Sequence, residues 1–136
     1  HLGVLPQSAK SFKFKGKKLS ERNKILKDAK ILEDAGVFSI VLECVESSLA
    51  KKVTNEIKIP TIGIGASKNC DGQILVFDDL VGLNPIDVRF VKKYINIRKE
   101  LKTAVSNYSK DVKRKKFPLK KHSYWLKVFN KFFINL

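Results

Sequence analysis

Methionine is absent from this sequence of 136 residues, and cysteine occurs only twice. The two cysteines, Cys44 and Cys70, lie far apart and form no C-x-x-C motif, which argues against a zinc site or a redox-active pair. Each lies beside an apolar segment, so we predict that both are small buried side chains in a reducing compartment such as the cytosol. Because the chain begins with His1 and contains no methionine, we expect a fragment or a processed chain.

Long apolar runs and several common enzyme signatures are missing as well. No run approaches the roughly 18 apolar residues that a membrane-spanning helix needs, so we predict no membrane partner. The sequence contains no G-x-S-x-G, P-loop or H-E-x-x-H motif. These absences argue against an α/β-hydrolase, a P-loop nucleotide-binding enzyme and a zinc metalloprotease of the H-E-x-x-H type. The stretch GIGAS at residues 63–67 does not continue as a dinucleotide fingerprint, because Lys68 stands where the third glycine would be.

Arginine is scarce although the chain is strongly basic. The net charge is +15, and only four of the 28 basic residues are arginines, namely Arg22, Arg89, Arg98 and Arg114. Base readout and bidentate phosphate contacts favour arginine, and the lysines are spread along the whole chain. We interpret the charge mainly as lysine at tolerant surface positions. Charge-driven, non-specific binding to nucleic acid is the alternative, since it needs no motif.

What the sequence does contain is an alternation of helical and strand-like segments. The predicted order is helix 20–35, strand 37–42, a helix from about 47, strand 59–64, strand 73–77 and helix 86–115. Ser20 is the predicted N-cap of the first helix, and Gly36 the glycine beyond its last turn. The predicted core positions of the later helices are Leu49, Val53 and Ile57, then Val88, Val91, Ile95, Val105, Tyr108 and Val112.

The segments 37–42 and 59–64 are apolar on both faces, a pattern typical of parallel strands that helices cover on both sides. Helices alternate with them along the chain, so the predicted fold class is α/β with a parallel sheet. A complete (β/α)8 barrel needs about 250 residues. Two architectures therefore stay open at this point: a small open α/β domain, or the C-terminal half of a barrel.

Residues that could carry chemistry collect where the predicted strands end. Glu43 follows the first strand, GIGAS at 63–67 ends the second, and Asp78 and Asp79 end the third. If another strand precedes residue 1, His1 also lies at a strand end. In α/β folds the working side chains stand at the carboxyl ends of parallel strands. These positions are therefore the candidates for a site.

Four segments carry a family resemblance in their order and spacing: HLGVLPQS at 1–8, AGVFSIVLECV at 35–45, IPTIGIGASKNCDGQILVFDDLVGL at 59–83 and FPLKKHSY at 117–124. Together they closely resemble the ketopantoate hydroxymethyltransferases. The resemblance covers residues 1–124. It implies the C-terminal half of a (β/α)8 TIM barrel of the phosphoenolpyruvate/pyruvate-binding superfamily, with a C-terminal tail over residues 125–136.

The resemblance also implies an activity. The family condenses 3-methyl-2-oxobutanoate with the one-carbon unit of 5,10-methylenetetrahydrofolate, and the products are 2-dehydropantoate and tetrahydrofolate, in pantothenate biosynthesis. A Mg²⁺ ion holds the keto acid. Members are cytoplasmic homo-oligomers, commonly decamers, so we expect the keto acid, the folate and other copies of the chain as partners, with no specific nucleic acid and no membrane.

Particular residues match the motifs of the family. Its proton acceptor, the glutamate of L-E-C-V, matches Glu43, and its active-site histidine in the HLG motif matches His1. Gly63 and Gly65 of GIGAS are expected to line the substrate pocket. The family's metal ligands, two aspartates and a glutamate, and its substrate-binding lysine are expected upstream, so no metal ligand is assigned in this chain. We therefore expect the chain alone to be inactive.

Four positions depart from the family pattern, and one of them is Leu5, which stands where threonine is often found. Glu46 stands where proline is common after E-C-V, Ser67 replaces the last glycine of GIGAG, and Asp78 replaces a histidine. None of them removes the expected base. Two alternatives to an active transferase stay open: a decayed, inactive relative with the same fold, and a basic non-enzymatic α/β module that binds nucleic acid.

Overall fold

The computed structural model describes residues 1–5 and 13–125. The chain comprises two compact units, His1–Asn96 and Ile97–Leu136. All but the first residue of the expected tail at 125–136 lies outside the described residues. The division into a domain over 1–124 and a tail therefore remains a prediction.

The first unit is built on a sheet of four parallel strands. Their order is β1 (Leu2–Gly3), β2 (Ile40–Glu43), β3 (Thr61–Ile64) and β4 (Gly72–Gln73). In the register, Glu43 stands between Gly3 and Ile64. Because the strands run in one direction, their carboxyl ends meet at one edge of the sheet. The predicted α/β class with a parallel sheet is confirmed, although β2 and β3 begin later than predicted.

Two helices, α1 (Leu19–Asp34) and α2 (Ser47–Glu56), pack with the strands. The core joins apolar residues at helical spacing with the inner residues of β2: Ile25, Ala29, Ile40, Leu42, Leu49, Ala50 and Val53. Burial of each larger side chain contributes about 1.5–3 kcal/mol. The predicted core positions of the second helix, Leu49, Val53 and Ile57, are all buried, which confirms them.

The ends of α1 agree with the sequence in one respect and differ in another. The helix begins at Leu19, with Lys18 as its N-cap and no side chain capping it, so the prediction of Ser20 as N-cap is wrong. Gly36 follows the C-cap with φ +82°, as predicted for a glycine beyond the last turn.

The predicted strand 73–77 is wrong in its extent. After β4 the ladder gains one more hydrogen bond, from the Ile74 N–H to the Gly63 carbonyl at 3.0 Å. The chain then turns into a short helix, α3 (Phe77–Leu80). Within the described part of the chain β4 pairs only with β3, and Ile74 is 56% exposed. Among the described residues no second strand pairs with β4, and Ile74 is not buried, so nothing stabilises a longer strand beyond this point.

Asp78 and Asp79 consequently do not end a strand. Both lie in α3, where the Asp78 carbonyl accepts a hydrogen bond from the Leu83 N–H at 2.8 Å. The carboxylate of Asp79 is buried and accepts one from Asn84 Nδ2 at 2.8 Å. These contacts close the turn that follows α3.

The predicted helix 86–115 is also too long. Helix α4 runs over Ile97–Lys113 in the second unit, and a 3₁₀ turn follows at Lys120–His122. In the first unit the preceding segment folds back toward α3, where the Tyr94 N–H donates to the Leu80 carbonyl at 2.9 Å. This tertiary contact replaces the helical bonding that the apolar spacing predicted.

The predicted core positions of that region are wrong. Val88 and Val91 are only half-buried, and Ile95, Val105, Tyr108 and Val112 are exposed. Helical spacing marks a face that can be buried, but it does not supply a partner. Among the residues that the structure describes, no helix combines the length and the apolar character needed to cross a membrane.

Candidate active site

Glu43 is the last residue of β2, and it is only 7% exposed. Burial disfavours the charged form of a carboxyl and raises the pKa of Glu43 above its ordinary value. A carboxylate with a raised pKa holds a proton more readily near neutral pH, which a general base requires. The position at the strand end agrees with the sequence expectation.

The imidazole of His1 lies against this carboxylate, with Nε2 at 3.2 Å from Glu43 Oε2. The parallel pairing of Leu2 with Leu42 brings the two residues together. His1 directly precedes β1. The expectation that it lies at a strand end depends on residues upstream of residue 1, so it stays a prediction. The two residues that match the family's chemistry form a contact pair, and a third of the imidazole, 33%, stays exposed to solvent.

Gly3 allows β1 to approach the backbone of Glu43 closely. Its φ is +100°, and a Cβ at this position would overlap the Glu43 carbonyl oxygen. The same oxygen accepts a hydrogen bond from the Val4 N–H at 2.9 Å. A side chain at residue 3 would therefore force β1 away from β2. Sequence reasoning missed this role of Gly3, although the glycine of HLG was the available signal.

Cys44 turns the chain out of the sheet directly after Glu43. Its φ of 50° is in the left-handed region, which a residue other than glycine rarely adopts. Two hydrogen bonds hold this conformation: the Cys44 N–H donates to the Ile64 carbonyl at 2.9 Å, and the Cys44 carbonyl accepts from the Lys15 N–H at 2.8 Å. The thiol is free and buried, and burial, with the nearby charge of Glu43, raises its pKa. Cys70 is also buried, which confirms the predicted burial of both cysteines.

Glu46 caps the helix that follows. Its carboxylate accepts hydrogen bonds from the N–H groups of Ser48 and Leu49, both at 3.0 Å, and from the Ser48 hydroxyl. Arg22 of α1 reaches the same carboxylate with Nη1 at 2.8 Å. These donors stabilise the charged form and lower the pKa of Glu46 to about 2. The network ties α1 to the start of α2, a long-range contact that the sequence did not predict.

The start of β3 is held by Asp71 of the C-D-G-Q segment. Its Oδ2 accepts from the Thr61 N–H at 2.8 Å and from the Thr61 hydroxyl at 3.0 Å. These hydrogen bonds lower the pKa of Asp71. Thr61 is fully buried, so the pair fixes the position of the strand that ends beside Glu43.

A cleft of about 750 Å³ opens where β2 and β3 end. Its walls come from the segment after Glu43, the segment after Ile64, and side chains from three other places: Phe14, Cys44, Val45, Glu46, Ser47, Gly65, Ala66, Ser67, Lys68, Gln73, Arg89 and Phe90. The cleft adjoins Glu43 through Cys44. It offers room for a small molecule, although neither Glu43 nor His1 is among the residues that line it.

The two glycines expected to line a pocket differ in position. Gly65 lines the cleft, and with φ +60° and the Phe90 ring 2.7 Å from where a Cβ would lie, only glycine fits there. Gly63 lies inside β3, opposite Leu42, and is not among the residues that line the cleft. It faces Cys70 and Gln73 instead.

Comparison with protein families decides the assignment. The family model described as ketopantoate hydroxymethyltransferase matches residues 1–120. The chain belongs to the ketopantoate hydroxymethyltransferase family. The matched range contains Glu43, His1 and every residue of the cleft, and the resemblance carried by the four sequence segments is confirmed.

Curated relatives in this family are named 3-methyl-2-oxobutanoate hydroxymethyltransferase. The protein of Pelagibacter ubique (strain HTCC1062) is 68% identical over 124 residues, which are 91% of this chain and 48% of the relative. That of Thermosipho melanesiensis (strain DSM 12029 / CIP 104789 / BI429) is 50% identical over 128 residues, with 91% and 48% covered. That of Carboxydothermus hydrogenoformans (strain ATCC BAA-161 / DSM 6008 / Z-2901) is 48% identical over 128 residues, with 91% and 46% covered. The chain thus spans about half the length of the curated relatives it matches.

The departures from the ketopantoate hydroxymethyltransferase pattern fit this structure. Glu46 supplies the cap of α2 described above. Ser67 is only 2% exposed, and its hydroxyl accepts hydrogen bonds from the Asn69 N–H at 3.2 Å and the Ser47 hydroxyl at 3.3 Å. Asp78 lies in α3. None of these three residues takes part in the contact between Glu43 and His1.

In residues 1–5 and 13–125, no three His, Cys, Asp or Glu side chains come together so that they could hold a metal ion. These residues do not fit a Mg²⁺ site, and we assign no metal ligand among them.

Proposed function

We propose that this chain is the part of a hydroxymethyltransferase that carries its base. In a protein of the length of the curated relatives, here called the family-length protein, it would serve the condensation of 3-methyl-2-oxobutanoate with the one-carbon unit of 5,10-methylenetetrahydrofolate. The products would be 2-dehydropantoate and tetrahydrofolate, in pantothenate biosynthesis. The observation that supports this most directly is the buried Glu43 carboxylate beside His1 at the carboxyl end of β2.

The keto acid must lose a proton from C3, the carbon next to its carbonyl. In the proposal Glu43 accepts that proton, because a buried carboxylate with a raised pKa is more basic than a solvated one. His1, at 3.2 Å, orients the carboxylate and can share the proton.

C3 then forms the new carbon–carbon bond to the methylene carbon of the folate. The two bonds from that carbon to the folate nitrogens N5 and N10 break, water supplies the hydroxyl group of the product, and tetrahydrofolate leaves. Gly65 is proposed to let the substrate approach the end of β3, whereas Gly63 faces Cys70 and Gln73 and is given no such role.

Several finer features belong to the same proposal. The four parallel strands are compatible with the C-terminal half of a (β/α)8 barrel. The remainder of the family-length protein would supply the side chains that bind Mg²⁺. We propose a cytoplasmic homo-oligomer, and we expect the chain of 136 residues to show no turnover by itself. Detectable product from the isolated chain would contradict that last point.

Exchange of the C3 proton for deuterium tests the role of Glu43 without the folate. The family-length protein is incubated with 3-methyl-2-oxobutanoate in heavy water, and the C3 signal is followed by NMR. The wild-type protein should exchange this proton, and Glu43→Gln should not, while circular dichroism shows the same fold. Exchange at the wild-type rate in Glu43→Gln would show that another group is the base.

The two alternatives give different results. A decayed relative would show neither exchange nor product in its wild-type form. A nucleic-acid module would bind unrelated DNA strongly, and its affinity would fall steeply with salt, but it would not act on the keto acid. Product formation by the wild-type family-length protein therefore separates the transferase from both.

A further inference from the structure

The backbone turn that follows Glu43 has a conformation that its surroundings must hold. Cys44 lies in the left-handed region with φ 50°, where a residue other than glycine persists only if neighbouring groups fix it. One support comes from the sheet, through the hydrogen bond from the Cys44 N–H to the Ile64 carbonyl. The other comes from Lys15, whose N–H donates to the Cys44 carbonyl at 2.8 Å and whose carbonyl accepts from the Glu46 N–H at 2.9 Å. The direction in which the chain leaves Glu43 therefore depends on the position of Lys15.

The segment around Lys15 is in turn held by the first turn of α1. Lys15 pairs with the chain beyond β2 through an isolated bridge and lies outside the four strands. The next residue, Gly16, is buried; its N–H donates to Glu21 Oε2 at 3.1 Å, and its carbonyl accepts from Arg22 Nη1 at 3.2 Å. A Cβ at Gly16 would lie 2.6 Å from the Leu49 side chain, so the segment packs tightly against α2. Two side chains of α1 thus fix the support on which the turn depends.

Arg22 also holds the chain on the other side of the turn. Its Nη1 donates to Glu46 Oε2 at 2.8 Å, and its Nη2 donates to the Ser48 hydroxyl at 3.0 Å. One guanidinium therefore bonds to three groups on two segments, the segment that supports Cys44 and the segment that follows it. A planar fork has the fixed spread of donors that this requires, whereas the compact ammonium of a lysine on its flexible stem does not.

A general base depends on an accurate position. The carboxylate must lie within hydrogen-bond reach of the proton that it accepts, and a displacement of about 1 Å can lower the rate about 100-fold. In the described part of the chain, the hydrogen bonds of Arg22 go to Gly16, Glu46 and Ser48, and none goes to Glu43. Any effect of Arg22 on the base must therefore pass through the backbone of the turn.

We propose that Arg22 is a positioning residue for the reaction: by tying the segment at Gly16 to the start of α2, it fixes the turn at Cys44 and with it the Glu43 carboxylate. This inference rests on the proposed function, since it takes Glu43 as the base. It assigns to Arg22 an effect on the rate of proton removal and none on the binding of the keto acid, because a misplaced base weakens only the interaction made in the transition state.

Exchange of the C3 proton in heavy water and calorimetric titration separate these two effects. Both are measured on the family-length protein with Mg²⁺ and 3-methyl-2-oxobutanoate. Exchange gives the rate at saturation, and titration gives the dissociation constant and the number of sites per chain. Arg22→Ala should lower the rate about 10- to 100-fold and change the dissociation constant by less than about 2-fold. Arg22→Lys, which keeps the positive charge beside Glu46, should regain part of the lost rate.

Two control variants account for a general loss of stability. Lys30→Ala removes another ion pair of α1, the pair with Glu33 at 2.7 Å. Gly36→Ala strains the backbone after α1, where φ is +82°. Both controls should keep the exchange rate within about 2-fold of the wild-type rate. The number of sites per chain corrects each rate for protein that is not folded.

The outcomes separate the inference from the proposed function. A rate for Arg22→Ala equal to that of the two controls, or a loss of keto-acid affinity as large as the loss of rate, would overturn the inference and leave the proposed function intact. If Arg22→Ala does not fold, Arg22→Lys decides: a slower rate at unchanged affinity supports the inference, and a rate equal to that of the controls overturns it. Absence of exchange in the wild-type protein would instead remove the proposed function itself.

Discussion

Glu43 and Glu46 lie close together in the sequence but in opposite environments. Glu43 ends β2, is buried, and has a raised pKa because burial disfavours its charge. Glu46 caps α2, where hydrogen-bond donors and Arg22 lower its pKa to about 2. One carboxyl is suited to accept a proton, and the other is held charged as a structural group.

The turn at Cys44 separates these two environments. Its left-handed conformation takes the chain out of the sheet, so the next residues leave the core and reach the start of a helix. The protonation behaviour of these two carboxyls therefore depends on burial and on the hydrogen-bond donors around each one, and less on their neighbours in sequence.

The largest expected effect is on catalysis. In the family-length protein, Glu43→Gln should lower kcat about 10³-fold, because the amide cannot accept the C3 proton. Glu56→Gln, at the exposed end of α2, is the matched control and should leave kcat within a factor of about 2. Steady-state assays of 2-dehydropantoate formation measure both. Equal losses in the two variants would show that the effect is not specific to Glu43.

The next effect concerns the close approach of β1 to Glu43. Gly3→Ala should lower the free energy of unfolding by about 3 kcal/mol, because the new Cβ meets the Glu43 carbonyl oxygen in a left-handed conformation. Gly36→Ala is the matched control: its φ is also positive, but nothing lies within 4 Å of the new Cβ. It should cost only about 1–2 kcal/mol. Urea unfolding compares the variants, and equal losses would exclude the steric explanation.

The helix cap gives a smaller effect. Glu46→Ala should lower the free energy of unfolding by about 1–2 kcal/mol, because the N–H groups of Ser48 and Leu49 lose their acceptor. A double-mutant cycle with Arg22→Ala should give a coupling energy of about 0.5–1 kcal/mol for the ion pair. Additive losses in the cycle would mean that the two side chains act independently.

The smallest effect is a pH dependence of opposite sign for the two acids. The folded-state pKa of Glu46, about 2, lies below the ordinary 4.5, so the folded state binds fewer protons between these values. Its contribution to stability is therefore present above pH 4.5 and lost as the pH falls toward 2. Glu43 has a raised pKa, so its charge lowers the free energy of unfolding as the pH rises above 4.5.

Urea unfolding across the acidic range separates the two contributions. The stability difference between wild type and Glu46→Gln should shrink toward zero as the pH falls, and it should not exceed about 1 kcal/mol, since solvent screens this partly exposed group. Glu43→Gln should become more stable relative to wild type as the pH rises above 4.5. The same slope for both variants would contradict the opposite pKa shifts.

The sequence predicted the part of the fold that depends on local pattern. The order from α1 through β3, the glycine after α1 and the buried face of α2 follow from apolar spacing and cap residues, and all are confirmed. The predictions failed where a tertiary contact replaced the local pattern. The segment before α4 is the clearest case, since the Tyr94 N–H bonds to Leu80 instead of continuing a helix.

The candidate site divides in the same way. Glu43 was predicted because it follows an apolar strand within a recognisable motif, and that requires only neighbouring residues. The contact with His1, the need for Gly3 and the Arg22–Glu46 pair all join segments that are distant in sequence. No local pattern records which residue of one strand stands opposite which residue of the next.

By itself the sequence determined the α/β class, the family and the position of Glu43 at a strand end, since strand and helix patterns are set by residues within a few positions of each other. Only the tertiary structure decided which of the two neighbouring glutamates is buried and which is held charged. Burial and hydrogen bonding act through space, and the groups that shift the pKa of Glu46 include Arg22 of another helix. The register of β1 against β2, which brings His1 to Glu43, was decided at the same level.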